Sequence, residues 1–350
     1  MAVFFLCHKT EMLTNEPISD RINWGKRRLV LCMKELIMEN FVFCINATMP
    51  IFFTMILGMW FRKIRLFTED FVNKMNKFVF HAALPALLFK DIAEVDIREA
   101  WNGKLVIFCF LATVASIGIS AAASLCFSRQ IRGEFIQASY RSSSAVLGIA
   151  FIQNIYGSSG IAPLMIIASV PLYNAMAVVV LTLFRPGERE DMKALAARTC
   201  KGIITNPIII GIVLGILYSL LSVPMPVILE KTVSNLAVLA TPLGLMAMGG
   251  SVKFGEAFVD LKPTIICAVM KLTGFVALFL PIGIHMGFVG DQIVSVLVML
   301  GSATTVSCFI MAKNMGHGGQ FSSGVIILTT LFSSVTLTAW LYLLKTMGLV

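Results

Sequence analysis

Long apolar runs, separated by short charged segments, dominate the chain. Runs of about 20 residues are long enough to cross a bilayer as helices. A transmembrane barrel would need alternating apolar and polar residues, and these runs do not alternate. The pattern therefore predicts an all-α polytopic membrane protein with ten transmembrane helices, at Phe41–Phe61, Phe78–Asp91, Leu105–Phe127, Ala138–Tyr156, Ala162–Phe184, Gly202–Leu221, Val233–Val252, Thr264–Met286, Ile293–Ala312 and Phe321–Leu344. The second run is short, which suggests a tilted or partly re-entrant segment.

The apolar segments occur twice at one offset. The stretch Met49–Gly58 (MPIFFTMILG) returns 157 positions later as Asn206–Gly215 (NPIIIGIVLG), and Pro85 returns as Pro242. Many secondary transporters are built from two such membrane halves. The repeat predicts a first five-helix half at residues 38–184, a connection at 185–201 and a second five-helix half at 202–350.

The composition supports a membrane protein. The chain is 57% hydrophobic and 13% charged, whereas soluble domains carry about 25% charged residues. The net charge of +9 reflects cationic loops and does not indicate a nucleic-acid partner. The eight cysteines form no CxxC pair, so they are interpreted as small apolar residues and not as a metal site. No phosphate-binding or dinucleotide motif predicts a cofactor.

The cations are distributed unequally between the two sides. By alternation, one side receives fifteen: Arg62, Lys63, Arg65, Lys74, Lys77, Arg129, Arg132, Arg185, Arg189, Lys193, Arg198, Lys201, Lys253, Lys262 and Lys313. The other receives five: Lys90, Arg98, Lys104, Lys231 and Lys345. Cytoplasmic loops carry the excess of Lys and Arg. We therefore expect a cytoplasmic connection at 185–201, both mature ends outside the plasma membrane, and a second half inverted relative to the first, since each half has an odd number of spans.

The first 37 residues do not fit this distribution, because they would add six cations outside. The apolar run Ala2–Cys7 is too short for a signal peptide. One interpretation is that translation begins at Met38 or Met33, and that the upstream stretch is an artefact of start-codon choice. The alternative is a disordered or surface-bound basic tail.

No predicted span contains an Asp or Glu in its core. A buried carboxylate is the usual device for a proton relay or a cation site, so its absence argues against an antiporter built on a carboxylate pair. It also argues against an intramembrane enzyme, as does the lack of HExxH or a Ser/His pair. Lys271 lies about 13 Å deeper than Lys262 along its helix. It either attracts an anion or pairs with a helix end.

The fourth and ninth spans differ in texture from ordinary membrane helices. They read ASYRSSSAVLGIAFIQNIYG and MLGSATTVSCFIMAKNMG, and they occupy matching places in the two halves. Small and hydroxyl residues permit close helix packing. They also suit two locally unwound helices that cross near the midplane, where freed N–H groups could hold an anion.

These segments, with NATMPIFFTMILG, FVFHAALPALLFKDIA and SVPLYN, resemble the auxin efflux carrier family over about residues 39–346. More narrowly they are similar to its bacterial permeases for malate or malonate. The resemblance implies an inverted five-plus-five repeat, like that of the bile acid symporters and sodium/proton antiporters. It implies organic anions as substrates, bound where the fourth and ninth helices cross. In plant members, transport often needs no coupling cation.

The chain departs from the family pattern at the crossing. Ser143 stands where the family has Asn, and Ala150 and Ala303 stand where it has Pro. Proline removes an N–H and breaks a helix. Without it, Gly148 and Gly301 would have to sustain the breaks.

The sequence thus predicts a permease for a small organic anion, working by alternating access of a bundle that contains the crossing helices. The first, second, sixth and seventh spans would form the scaffold. The alternative is a transport-inactive membrane sensor or scaffold with the same fold. A homodimer is compatible with either. The candidate binding residues are Asn46, Ser142, Ser143, Ser144, Gly148, Ala150, Asn174, Gly301, Ser302, Ala303, Thr304 and Thr305, with Arg141 and Lys271 as candidates for anion attraction.

Overall fold

The structure, a computed structural model, describes residues 49–50, 53–93, 102–144, 148–157, 160–185, 197, 200–202, 204–221, 225–251 and 261–350. All regular secondary structure in these ranges is helical. We label the helices α1 (53–63), α2 (Glu69–Phe78), α3 (Leu84–Ala93), α4 (Gly103–Ser124), α5 (Arg129–Tyr140), α6 (Ile149–Tyr156), α7 (Ala162–Leu183), α8 (Pro207–Leu221), α9 (Val227–Ser251), α10 (Leu261–Val269), α11 (Phe275–His285), α12 (Asp291–Gly301), α13 (Ser307–Asn314) and α14 (Gln320–Thr346). The π-helical turns Val79–Ala83 and Met270–Gly274 join α2 to α3 and α10 to α11.

Five described helical segments are long and apolar enough to cross a membrane: Gly103–Ser124, Leu164–Leu183, Val227–Ser251, Leu261–His285 and Gln320–Thr346. Two shorter apolar helices, α8 and α12, add to these. Large apolar side chains on their outer faces are exposed, such as Ile107 and Leu111 on α4. This surface suits the acyl chains of a bilayer, so the described residues form a polytopic membrane protein.

The second predicted span is longer than its apolar run suggested. Helix begins at Glu69 and continues through the π-helical turn to Ala93. Thr68 caps its start, where the hydroxyl accepts a hydrogen bond from the Phe71 N–H at 3.2 Å. Because α2 is amphipathic, with its charges on an exposed face, hydropathy alone does not detect it.

The helices pack in two groups. In one group, α3 packs against α8 and α9, and α2 against α9. The other group contains α4, α5 and α7 with α10 to α12 and α14. Glycines let backbones approach closely around this group: Gly58 of α1 faces the backbone of Met246 in α9, and Gly215 of α8 faces that of Phe89 in α3. Both contact pairs are related by the offset of 157, so the repeat in the sequence is also a repeat of contacts.

The helix ends meet at two ends of the bundle. At one end, Asn314 donates to the Asn76 carbonyl (3.3 Å), and the buried Glu134 carboxylate accepts from the Gly319 and Ser322 N–H groups (both 2.9 Å). At the other end, Lys104 donates to the Met286 carbonyl. The two ends are joined by α4, whose 22 residues correspond to about 33 Å.

The contact between Gly58 and Met246 yields a first prediction. A Cβ at Gly58 would lie 2.3 Å from the Met246 carbonyl oxygen, so Gly58→Ala must push two helices apart. We expect a loss of about 1–3 kcal/mol in unfolding free energy, the range for overpacking. Thermal unfolding in detergent measures it. Gly118→Ala is the matched control, because a Cβ there meets nothing within 4 Å. Equal stability of the two variants would contradict the contact.

Candidate functional site

The fourth and ninth predicted spans are each interrupted between two helices. The chain leaves α5 and α12 through Arg141 (φ −78°, ψ 127°) and Ser302 (φ −73°, ψ 161°), both with extended backbone. Helix resumes in α6 and α13. The Ser143 N–H donates to the Ala303 carbonyl at 2.9 Å, so the two unwound segments touch.

Side-chain hydroxyls from each unwound segment donate hydrogen bonds to the end of the opposite helix. Ser142 donates to the Met299 carbonyl in the last turn of α12, and Thr304 donates to the Ala138 carbonyl in the last turn of α5 at 2.9 Å. The last carbonyls of a helix lack intrahelical partners, and lipid offers none. Each half-helix therefore ends on a donor from the other.

The glycines beside the breaks act through packing. Gly148 and Gly301 are both absent from the described residues with positive φ, so left-handed backbone is not their contribution. A Cβ at Gly148 would lie 2.7 Å from a Val298 methyl, and one at Gly301 the same distance from a Val276 methyl. We expected Gly148 and Gly301 to sustain the breaks through their backbone freedom. Their contribution is instead to let neighbouring helices approach closely.

Arg141 is buried at the crossing, with 1% of its surface exposed. Its guanidinium donates to Asn174 Oδ1 and Ser307 Oγ, both at 2.7 Å, and to Gln137 Oε1 at 3.3 Å and Met311 Sδ at 3.0 Å. All four partners are neutral. Its Nε has no hydrogen-bond partner among the described residues. A buried charge is costly unless it is paired, so this arrangement leaves a positive charge for a ligand to balance.

Lys271 is equally buried, but its contacts differ. The π-helical turn that carries it directs its ammonium to the Leu300 carbonyl (2.9 Å), the Tyr140 carbonyl (3.4 Å) and the Ser142 hydroxyl. The two carbonyls belong to the C-terminal turns of α12 and α5. Of the two uses considered for this residue, the structure shows the pairing with helix ends.

A cavity of about 90 Å³ adjoins the crossing. Its apolar wall includes Leu84 and Leu88 of α3, Val170 of α7 and Ile310 of α13, and Asp91 borders it at the end of α3. Ser144, whose buried hydroxyl has no partner among the described residues, also borders it. The candidate residues that border the cavity are Arg141, Ser142, Ser143, Ser144, Asn174, Ala303, Thr304 and Thr305.

The remaining candidates lie elsewhere. Gly148, Gly301, Ser302 and Lys271 do not border the cavity. Ala150 is the second residue of α6, and Asn46 lies outside the described residues.

Sequence reasoning missed several residues of the site. Ser307 and Gln137 hold Arg141, and Tyr173 and Thr241 border the cavity. Ser307 and Tyr173 had a signal, since Ser307 lies within the hydroxyl-rich ninth span and Tyr173 directly precedes Asn174. Thr241 had none, because only tertiary packing brings α9 to the cavity.

A family model described as "Membrane transport protein" matches residues 43–341, which include the whole crossing. The chain belongs to this family. The match confirms the resemblance to the auxin efflux carriers, and membership implies a transporter and not an enzyme. This membrane transport protein is also 23% identical over 313 residues to a protein of Rhizobium meliloti (strain 1021) named "Putative malonate transporter", with 86% of the chain and 95% of the relative covered.

Proposed function

We propose that the protein is a secondary transporter of small organic anions, with carboxylates as the substrate class. The observation that supports this most directly is Arg141, a buried cation that borders the cavity, has neutral partners and keeps an Nε without a hydrogen-bond partner among the described residues. A carboxylate pairs well with a guanidinium, by charge-assisted hydrogen bonds. The hydroxyls of Ser144 and Thr305 offer further donors to such a ligand.

The named relative supports the same class. Malonate carries two carboxylates, and the cavity adjoins a cation and several small polar side chains. An apolar wall from α3 and α7 would contact the carbon backbone of the substrate. Small-molecule sites commonly combine such walls with a few placed polar groups.

For the mechanism we propose a ten-helix, five-plus-five inverted repeat with alternating access. The paired contacts of Gly58 with Met246 and of Gly215 with Phe89 support the repeat. The two packing groups support a division into a scaffold, formed by the first, second, sixth and seventh spans, and a moving bundle that carries the crossing. Both groups border the cavity, since α3 and α9 of the first group supply Leu84 and Thr241, and α7 of the second group supplies Val170. Movement of one group against the other would then expose the site to each side in turn.

Flux measurements test this function. Proteoliposomes that contain the purified protein should take up more labelled malonate or malate than empty liposomes do. Unlabelled carboxylates of similar size should compete with this uptake. Neutral amides of the same acids should not compete, because they cannot balance Arg141. Binding of these anions without flux would instead support a sensor with the carrier fold.

The orientation gives a second prediction. We propose that the protein lies in the plasma membrane with the 185–201 connection in the cytoplasm and the C-terminus outside. In a variant whose only thiol is the exposed Cys200, an impermeant thiol reagent should react only after cells are permeabilised. In a cysteine-free variant with Met347→Cys, the thiol should react in intact cells, since Met347 is 53% exposed. The reverse pattern would refute the assignment of sides.

A further inference from the structure

The Lys271 side chain makes three hydrogen bonds, and each needs a proton from the amine. The Leu300 and Tyr140 carbonyls can only accept. The Ser142 hydroxyl gives its own proton to the Met299 carbonyl, so it too accepts from the amine. An ammonium has three N–H donors and no acceptor. The contacts therefore match the charged form with every donor used.

The position of this ammonium is unusual for a side chain. It lies between the C-terminal turns of α5 and α12, where both half-helix dipoles are negative. Transporters with broken helices use such C-terminal ends and unwound carbonyls to coordinate sodium ions or protons. Lys271 supplies a positive charge at this place from a third helical segment, the π-helical turn Met270–Gly274.

We propose that Lys271 is a positioning residue whose ammonium acts as a tethered cation, holding the two half-helices in the place where a free monovalent cation would otherwise bind. The proposal rests on the transport function given above and extends it. Because the cation is covalently attached, transport needs no sodium or potassium ion from solution. Removing the side chain should convert the place into a binding site for a small free cation.

This role differs from that of Arg141. Arg141 borders the cavity and keeps one donor free, whereas Lys271 does not border it and has all three donors occupied. The two cations are connected through the chain, since Lys271 donates a hydrogen bond to Ser142, which directly follows Arg141. Arg141 would thus balance the negative charge of the substrate, and Lys271 would stabilise the crossing on which Arg141 lies.

The test compares Lys271→Ala, which empties the place, with Lys271→Met, which fills it without charge. Anion flux into proteoliposomes is measured in sodium, potassium, methylammonium or N-methylglucamine chloride at one ionic strength. Wild-type flux should be equal in all four. Flux of Lys271→Ala should fall roughly tenfold to a hundredfold in N-methylglucamine, since hydrogen bonds to a charged group are lost. A small cation should restore it, and Lys271→Met should stay low throughout.

Thermal unfolding in the same salts, in detergent, provides a readout that does not need transport. Small cations should raise the melting temperature of Lys271→Ala by a few degrees, as ligand binding to the folded state does. They should leave wild type and Lys271→Met unchanged. This pattern distinguishes a cation site from a general packing defect, which no cation would repair.

Three results would overturn the inference: wild-type flux that requires sodium or potassium, full flux of Lys271→Ala in N-methylglucamine, or a Lys271→Ala variant that no small cation restores in either assay. Absence of anion flux in wild type would count against the proposed function alone. The unfolding measurements would still decide whether Lys271 occupies a cation site.

Discussion

Replacing Arg141 with methionine is expected to lower carboxylate flux by at least about 30-fold. Removing one partner of a buried charge pair typically costs 2–5 kcal/mol or more, and about 2 kcal/mol corresponds to this factor. The loss should appear as weaker substrate binding, because the guanidinium is proposed to contact the anion itself. The flux of Arg141→Lys should lie between those of wild type and Arg141→Met, since lysine keeps the charge but not the forked donor geometry.

Flux and anion-dependent thermal stabilisation measure this effect together. The control is Arg129→Met, which removes an exposed cation from the first turn of α5. It should leave both flux and stabilisation unchanged. Arg141→Met should still fold, because the groups that hold the guanidinium are neutral and lose no charge partner. Unchanged substrate affinity in a folded Arg141→Met protein would refute the proposed anion site.

Introducing proline at the ninth-span break is expected to leave the protein as stable as wild type. The Ala303 N–H makes no hydrogen bond to any described residue, so a proline at this position removes no hydrogen bond. The preceding residue, Ser302, already has φ −73° and ψ 161°, which is the conformation that a following proline favours. A compatible proline even adds about 0.4–1 kcal/mol by restricting the unfolded chain.

The matched control places the same substitution in an uninterrupted helix. Ala112 lies in the middle of α4 and is buried. Ala112→Pro removes a helical hydrogen bond and clashes with the preceding turn, at a cost of about 3 kcal/mol. Thermal unfolding of both variants in detergent compares them. If Ala303→Pro were as damaging as Ala112→Pro, the ninth span would be a continuous helix and the crossing would not exist.

Transport by the Ala303→Pro variant is informative as well. The Ala303 carbonyl accepts the bond from the Ser143 N–H that joins the two unwound segments. Proline keeps its carbonyl, so this bond and the neighbouring cavity should survive. We expect flux close to wild type.

The sequence by itself predicted the five described helical segments that are long and apolar enough to cross a membrane, because the free energy of transfer into lipid of each apolar run depends on its own residues. It also marked the fourth and ninth spans as polar, and it contained the repeat that relates Gly58 to Gly215. It identified Arg141 and Lys271 as cations within spans. These are local properties, set by composition and order along the chain.

Only the tertiary structure distinguished the surroundings of those two cations. By hydropathy alone, both residues are charges that are costly to bury. What each can do depends on its hydrogen-bond partners, and most of these partners belong to other helices. The Leu300 and Tyr140 carbonyls accept hydrogen bonds from Lys271, whereas Arg141 borders the cavity and its Nε has no hydrogen-bond partner among the described residues. Packing likewise brought α3 and α9 to the cavity and explained Gly301 by its contact with Val276. A hydrogen bond or a close approach depends on two segments distant in sequence, so neither segment alone contains it.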